Sequence, residues 1–330
     1  MSETILVTGG AGYVGSHALV SLAARGHRVI ALDDLSRGNE DAVRRAEKLA
    51  GVPIALEVGD ICDAKFVAAA LRRCKPDAVV HLAGFKSVAE SVSDPDRYEH
   101  VNVGGTAILA DALVEAGIRR VVYASTASVY GDADTPDAID ESAEIQPISP
   151  YASTKYRGEV ALNARPELDA VVHLRFFNVC GAHPSGKLGE YVDRPQNLMP
   201  VLLRGAWDDT PITVFGTDYP TRDGTCVRDY IHVLDIVSGI ELALAETARR
   251  PINQAYNLGT GSGSTVLEVT EATRRATQCP LETHLGDRRP GDPATCVADA
   301  GLARSELGWK PSYGLGEMAE HAWSWMKELS

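Results

Sequence analysis

The stretch VTGGAGYVGSH, residues 7–17, constrains this chain more than any other. It follows an apolar run, TILVTG (4–9), and opens an amphipathic one at 14–25. Gly10, Gly12 and Gly15 satisfy G-x-G-x-x-G, while Gly9, Gly12 and Gly15 satisfy G-x-x-G-x-x-G. Glycines so spaced let a strand turn sharply into a helix and let backbone N–H groups approach a pyrophosphate at the helix N-terminus. A second apolar run, RVIALD (28–33), ends on Asp33. A carboxylate there is placed to accept hydrogen bonds from the adenosine ribose hydroxyls. It repels a 2′-phosphate, so NAD(H) is expected over NADP(H), with Arg37 as the one opposing signal.

The rhythm of the first half extends this reading. Candidate strands fall at 4–9, 28–33, 54–60, 78–84, 120–126 and 170–179. Candidate helices lie between them at 14–25, 40–50, 63–74, 97–117 and 151–164. Strands that read as continuous Val/Ile/Leu runs, separated by helices, imply a Rossmann-type doubly wound parallel sheet in an α/β chain. After Asn178 the pattern changes to Gly, Pro, Asp and Arg-rich loops around short strands, with helices again at 234–247, 265–277 and near 315–328. The expected organisation is an NAD-binding domain over 1–179, joined by segments near 230–260, and a smaller C-terminal α/β substrate-binding domain over 180–330.

Composition narrows the partners. The net charge of −13 argues against nucleic acid or an anionic membrane. Six scattered cysteines show no C-x-x-C and no Cys/His cluster at ligand spacing, so no metal is expected and the thiols read as reduced. The chain enters TILVTGG directly, without a basic region and apolar run of signal type. No stretch approaches 18 unbroken apolar residues. A cytoplasmic protein is expected.

The chemistry is carried by SPYASTKYRGE, residues 149–159. Tyr151 and Lys155 stand four apart, so on a helix they share one face, and an ammonium group beside a phenol lowers its pKa. Alone, Y-x-x-x-K is common and reads as a surface pair. Here it follows YASTASVYG (123–131), which ends the fifth strand at the carboxyl edge where such sheets bind ligands. Thr126 supplies a hydroxyl there. Ser125 is the weaker candidate because its side chain points to the opposite face of the strand.

With these motifs in hand, the chain resembles the UDP-glucose 4-epimerases of the extended short-chain dehydrogenase/reductase family. The resemblance runs through VTGGAGYVGSH, AGFKSVAESV, SPYASTK, RFFNVCGAHPSG, NLMP, FGTDYPTRDGTCVRDYIHV, YNLGTG and RRPGD. It implies NAD-dependent oxidation of a UDP-sugar at C4, rotation of the 4-keto sugar and re-reduction on the other face. Tyr151 would be the base and acid, Lys155 would stabilise its phenolate, and Thr126, where relatives often have Ser, would relay the proton. The implied NAD contacts are Gly9, Gly12, Tyr13, Val14, Gly15, Asp33, Asp34, Leu35, Asp60, Ile61, Leu82, Ala83, Gly84, Lys86, Asn102, Tyr151, Lys155 and Phe177. The implied UDP-sugar contacts are Lys86, Thr126, Tyr151, Asn178, Asn197, Leu198, Phe215, Arg228, Arg289, Asp292 and Cys296.

Arg228 also has a plain reading as a salt bridge to Asp229 or Asp223. Cys296 falls where relatives carry either a tyrosine or a small residue, so UDP-GlcNAc/UDP-GalNAc is expected beside UDP-Glc/UDP-Gal. A homodimer through 97–117 and 151–164 is also implied. Two rivals differ in what they need. A dehydratase requires an Asp-Glu pair after the strand-end Thr, where this chain has Ala127 and Ser128; a decarboxylase or uronic-acid epimerase stays open. A non-catalytic NAD-binding sensor would typically lose Tyr151 or Lys155.

Overall fold

The computed structural model describes residues 2–132, 138–191, 195–289 and 292–329. The glycine loop joins β1 (Thr4–Thr8) to α1 (Tyr13–Ala24). The chain then runs through β2 (Arg28–Asp33), α2 (Glu40–Ala50), β3 (Ala55–Val58), α3 (Ala64–Cys74) and β4 (Ala78–His81). It continues with α4 (Thr106–Glu115), β5 (Arg120–Thr126), α5 (Pro150–Asn163), β6 (Ala170–Phe176), α6 (Val233–Arg249) and β7 (Ile252–Leu258). The seven strands form one sheet in the order β7-β6-β5-β4-β1-β2-β3. The β1–β2, β1–β4, β2–β3 and β4–β5 pairs are parallel, which is the doubly wound α/β arrangement. One face is filled by Leu6, Ile30, Val79, Val121 and Val171 from the strands against Val67, Leu71, Leu109, Leu113 and Leu162 from α3, α4 and α5.

Two elements depart from the sequence expectation. The helix expected over 97–117 is not one α-helix. A π-helical segment, Glu99–Gly105, precedes α4, and a short helix, Pro95–Tyr98, precedes that. Gly105 permits the close approach, since a Cβ there would lie 2.7 Å from Ile61. The wider turn brings Asn102 inward. The strand expected over 170–179 stops at Phe176, where Phe177 N–H bonds Leu258 O at 3.2 Å. Asn178–Cys180 then pairs in parallel with Val227–His232.

The chain divides into two compact units. The first is Met1–Gly131, Ile145–Arg175 and Val237–Tyr256; the second is Asp132–Glu144, Phe176–Ile236 and Asn257–Ser330. In the second unit Val227–His232 is the central strand, flanked by Gly263–Thr265 and Thr295–Cys296, while Ile212–Phe215 pairs with Thr283–Gly286. Helices Leu198–Asp208, Val266–Thr277 and Leu315–Glu328 close a core of Met199, Leu202, Leu203, Ile212, Val269 and Met318. The helix Leu198–Asp208 begins within NLMP, at the end of a stretch read as loop, and runs on through residues to which the sequence assigned no element. Among the described residues no helix is long and apolar enough to cross a membrane.

Candidate active site

The glycine loop is shaped by close backbone approaches. Gly9 has φ +68°, and a Cβ there would lie 2.7 Å from Ala83 N; at Gly15 it would lie 2.1 Å from Gly9 O. Gly12 differs, because a Cβ would meet only Gly9 O, at 3.2 Å. Gly12 caps α1 with no side-chain hydrogen bond, and the first turn, which begins Tyr13-Val14-Gly15, holds no acid. Unshielded first-turn N–H groups with the positive end of a helix dipole fit a diphosphate.

Asp33 ends β2 and is buried. Its Oδ2 accepts from Ala11 N at 3.0 Å and its Oδ1 from Leu35 N at 2.9 Å. Burial raises its pKa and these two amides oppose the shift. A carboxylate has about four acceptor sites, so Asp33 retains capacity for ribose hydroxyls. Leu35 adopts φ 60°, which turns the chain around this carboxylate. Asp34 accepts from the Ser36 backbone and hydroxyl at 2.9 and 2.8 Å. Arg37, the opposing signal for a 2′-phosphate, is held by Glu90 and lies 5.6 Å from the Phe85 ring. After β3, Asp60 accepts from Cys62 N at 2.8 Å and Ile61 is buried.

The segment after β4 wraps the same edge. Leu82 N donates to Thr8 O at 3.1 Å and Ala83 N to Thr8 Oγ1 at 3.3 Å. Gly84 has φ +146° with Asn102 Oδ1 directly beside it. Asn102 Oδ1 accepts from Phe85 N at 2.8 Å, and its Nδ2 donates to Phe85 O and Thr154 Oγ1, each at 3.1 Å. Both amide hydrogens are thereby committed, so Asn102 braces this loop against α5. Lys86 Nζ lies 5.7 Å from the centre of the Tyr13 ring, which brings it to the glycine loop.

Helix α5 starts on a Ser149 cap that accepts from Ala152 N, with Pro150 at its first position. That start places Tyr151 and Lys155 on one face. Thr126 lies near enough to Tyr151 for its hydroxyl to favour the phenolate, while its Oγ1 donates to Ser128 Oγ at 3.2 Å and accepts from Ser128 N at 3.2 Å. Thr126 ends β5, and Ser125 turns its hydroxyl the other way, to Glu159. Lys155 is 6% exposed, its Nζ 4.3 Å from the centre of the Tyr123 ring. Gly158 permits that seat, because a Cβ there would lie 2.2 Å from Tyr123 Oη. Burial pushes Lys155 down to about 7, with Glu159 opposing. Tyr151 shifts upward because desolvation outweighs the opposing influence of the Thr126 hydroxyl. The lowering of the phenol pKa expected from the lysine on the next turn is therefore not seen in the chain alone, because burial dominates.

The second unit gathers part of the expected UDP-sugar set. Arg228 Nη2 pairs with Asp292 Oδ1 at 3.2 Å, and Nη1 donates to Pro293 O and Val227 O, each at 2.8 Å. The alternative partners are engaged elsewhere: Asp229 accepts from Thr260, Gly261 and Ala298, and Asp223 from Thr225 and Thr265. Cys296 stands in register with Arg228 on the neighbouring strand. The Arg289 guanidinium lies 4.1 Å from the centre of the Phe215 ring, and Asp292 N bonds Arg289 O at 3.3 Å. Phe215, Arg228, Arg289, Asp292 and Cys296 therefore lie along one connected edge, although Pro290 and Gly291 of RRPGD lie outside the described residues. Asn178 faces Tyr230 in register, Phe177 is buried, Asn197 stands exposed at a helix start, and Leu198 packs on the core. Those four are not joined to the arginine edge by the contacts described here. Among the described residues no cluster suits a metal ion.

Sequence reasoning missed the buried carboxylate Glu159 and its partner Arg175, paired at 2.9 Å. Two signals pointed to them: the four-residue stripe Tyr151-Lys155 continues to Glu159, and Arg175 interrupts an apolar strand. It also missed His81, whose Nδ1 is 2.7 Å from Thr8 Oγ1 and whose Nε2 is 2.9 Å from Thr106 Oγ1.

A half-buried phenol with a cation on its own helix face, a strand-end hydroxyl close to it and a diphosphate cradle on the same sheet is short-chain dehydrogenase machinery. Residues 5–259 match the NAD dependent epimerase/dehydratase family, and the chain belongs to it. It is 41% identical over 326 residues to a UDP-glucose 4-epimerase of Bacillus subtilis, covering 97% of this chain and 96% of that protein. Among solved structures it resembles a Stenotrophomonas maltophila UDP-glucose-4-epimerase with bound NAD and formylated UDP-arabinopyranose, at TM-score 0.93 and 39% identity over 99% and 98% of the chains. A Bifidobacterium longum UDP-glucose 4-epimerase in complex with NAD+ and UDP matches at TM-score 0.92 and 35% identity, over 98% of each chain.

Lys155→Met tests the buried ammonium. The folded state holds Lys155 near 7 against an ordinary 10.5. Between those values the unfolded chain binds more protons, so the wild type gains stability as pH rises through that window and bears the full burial cost below it. Each unit of depression corresponds to about 1.4 kcal/mol. Denaturant unfolding across pH is expected to show Lys155→Met more stable than the wild type below neutrality, by a few kcal/mol, with the advantage shrinking toward alkaline pH. A variant less stable by the same amount at every pH would contradict this.

Proposed function

We propose that the chain is an NAD-dependent UDP-glucose/UDP-galactose 4-epimerase. The observation that carries the reading is Tyr151, close to the Thr126 hydroxyl and one helical turn before a buried Lys155, beside the sheet that carries the glycine cradle. The names of its relatives agree with it. The glycine loop, with Tyr13 and Val14, would hold the cofactor diphosphate; Asp33, Asp34 and Leu35 its adenosine ribose; Asp60 and Ile61 the adenine. Leu82, Ala83, Gly84 and Lys86, braced by Asn102, would line the nicotinamide side, together with Phe177.

Tyr151 takes the proton of the sugar 4-hydroxyl and later returns it to the 4-oxygen. When bound, NAD would supply the two-electron acceptor and donor for C4 and a positive charge near the Tyr151 phenolate. Thr126 holds the 4-oxygen and the phenol in one hydrogen-bonded line. Its methyl group leaves that hydroxyl intact, so threonine serves as serine does in relatives. Lys155 carries the positive charge that the phenolate needs in a buried site. Arg228 and Arg289 make charge-assisted bonds to the UDP diphosphate. They retain the nucleotide, with Asp292, Phe215, Asn178, Asn197 and Leu198, while the 4-keto sugar turns over.

The same reading includes a homodimer through the 97–117 and 151–164 regions; Val160 on α5 is 48% exposed. It includes a cytoplasmic setting and substrate binding by the C-terminal half. A coupled assay converting UDP-galactose to UDP-glucose, run on purified protein without added NAD, is expected to show turnover. Absence of turnover with and without NAD would contradict the function.

Substrate breadth rests on Cys296, a small side chain beside Arg228. Room there admits a 2-N-acetyl group, so interconversion of UDP-GlcNAc and UDP-GalNAc is expected too. Cys296→Tyr should cut that activity at least tenfold, about 1.4 kcal/mol, while UDP-galactose turnover persists. Undiminished activity on the acetylated pair would refute the assignment.

A further inference from the structure

Glu159 is a buried carboxylate that the chemistry above does not use. It continues the series Tyr151, Lys155, Glu159 along one face of α5. It is 3% exposed and Arg175, on β6, is 5% exposed. Glu159 Oε1 accepts from Arg175 Nε at 3.1 Å and Oε2 from Nη2 at 2.9 Å, a bidentate pair. Ser125 Oγ donates to Oε1, and Arg175 Nη1 donates to Tyr130 Oη at 2.9 Å. Ser125 precedes Thr126 on β5, and Tyr130 ends the turn Ala127–Tyr130 that follows it. The ion pair thus grips both flanks of Thr126 from the helix that carries Tyr151 and Lys155.

Stability alone does not explain such a pair, because well-packed apolar residues often serve as well. Apolar residues would not place a carboxylate next to Lys155. The groups acting on that ammonium are Glu159 on α5, the Tyr123 ring on β5 and His81 on β4; His173 and Arg175 on β6 act on Glu159. Burial holds His81 neutral, down to about 3, and pushes the Tyr123 phenol upward. Glu159 is then the one anion of this set at neutral pH.

Taking Tyr151 as the base, we propose that Glu159, clamped by Arg175, is a positioning residue that keeps Lys155 charged in its buried seat and holds Thr126 in line with Tyr151. Glu159 opposes the burial that drives Lys155 down. Removing the carboxylate lets the ammonium lose its proton at a lower pH.

The test uses the full-length holoenzyme. Glu159→Gln is expected to move the alkaline limb of the kcat–pH profile about one unit lower, a roughly tenfold loss above neutrality, with KM little changed. Because that variant leaves Arg175 buried and unpaired, the double variant Glu159→Gln with Arg175→Gln is made beside it, so that two amides face each other. In either variant the ¹³Cε signal of Lys155, assigned by its absence in Lys155→Met, should titrate lower than in the wild type. Glu159→Asp, which keeps the charge, should restore the titration toward the wild-type value. An unmoved Lys155 titration in the double variant overturns the inference even where kcat falls. The titration is read without substrate, so a wild type lacking epimerase turnover would count against the proposed function while the signal still decides the role of Glu159.

Discussion

Seating a lysine ammonium group inside the protein, against a tyrosine ring, is the constraint to which the rest of the site answers. An isolated buried charge is expensive, and the group responds by shedding its proton more easily. Here burial brings Lys155 to about 7, within reach of neutral pH. The surroundings are arranged around that fact. Gly158 removes the side chain that would keep α5 from Tyr123, and His81 is locked neutral between two threonines. Glu159 and Arg175 place one paired carboxylate a turn away.

The glycine loop and the strand ends convert this local chemistry into a directed one. Gly9 brings the loop against Leu82 and Ala83, just after β4, and Gly15 brings α1 against the loop, so closely that no other residue fits. The N-terminus of α1 is left without a side-chain cap, and Asp33 is fixed by two amides. Because all these groups hang from neighbouring parallel strands, they converge at one sheet edge, where doubly wound folds bind their ligands. Within the second unit, Arg228 is paired with Asp292 and Arg289 lies over the Phe215 ring.

Most of the first unit was legible because its signals are local: continuous apolar strands, glycine spacing, and an i, i+4 pair at a capped helix start. Where reading failed, the deciding contacts were distant in sequence. The helix expected over 97–117 widened into a π segment because Asn102 is drawn to Phe85 and Thr154, which no periodicity reveals. The long strand ended at Phe176 because Asn178–Cys180 pairs with Val227–His232, some fifty residues on by the numbering. Arg228 was legible as an arginine in a loop-rich region, but its partner Asp292 was not, since Asp229 and Asp223 lay nearer in sequence. Glu159 was hidden for the opposite reason: a glutamate on a helix ordinarily faces water, and only its depth identifies it.

If Tyr151 handles only the O–H proton, the hydrogen on C4 leaves and returns without meeting water. UDP-galactose carrying deuterium at C4, converted in ordinary water by the purified protein and followed by NMR, tests this directly. UDP-glucose that retains deuterium at C4 is expected. Replacement of the label by solvent hydrogen would contradict it.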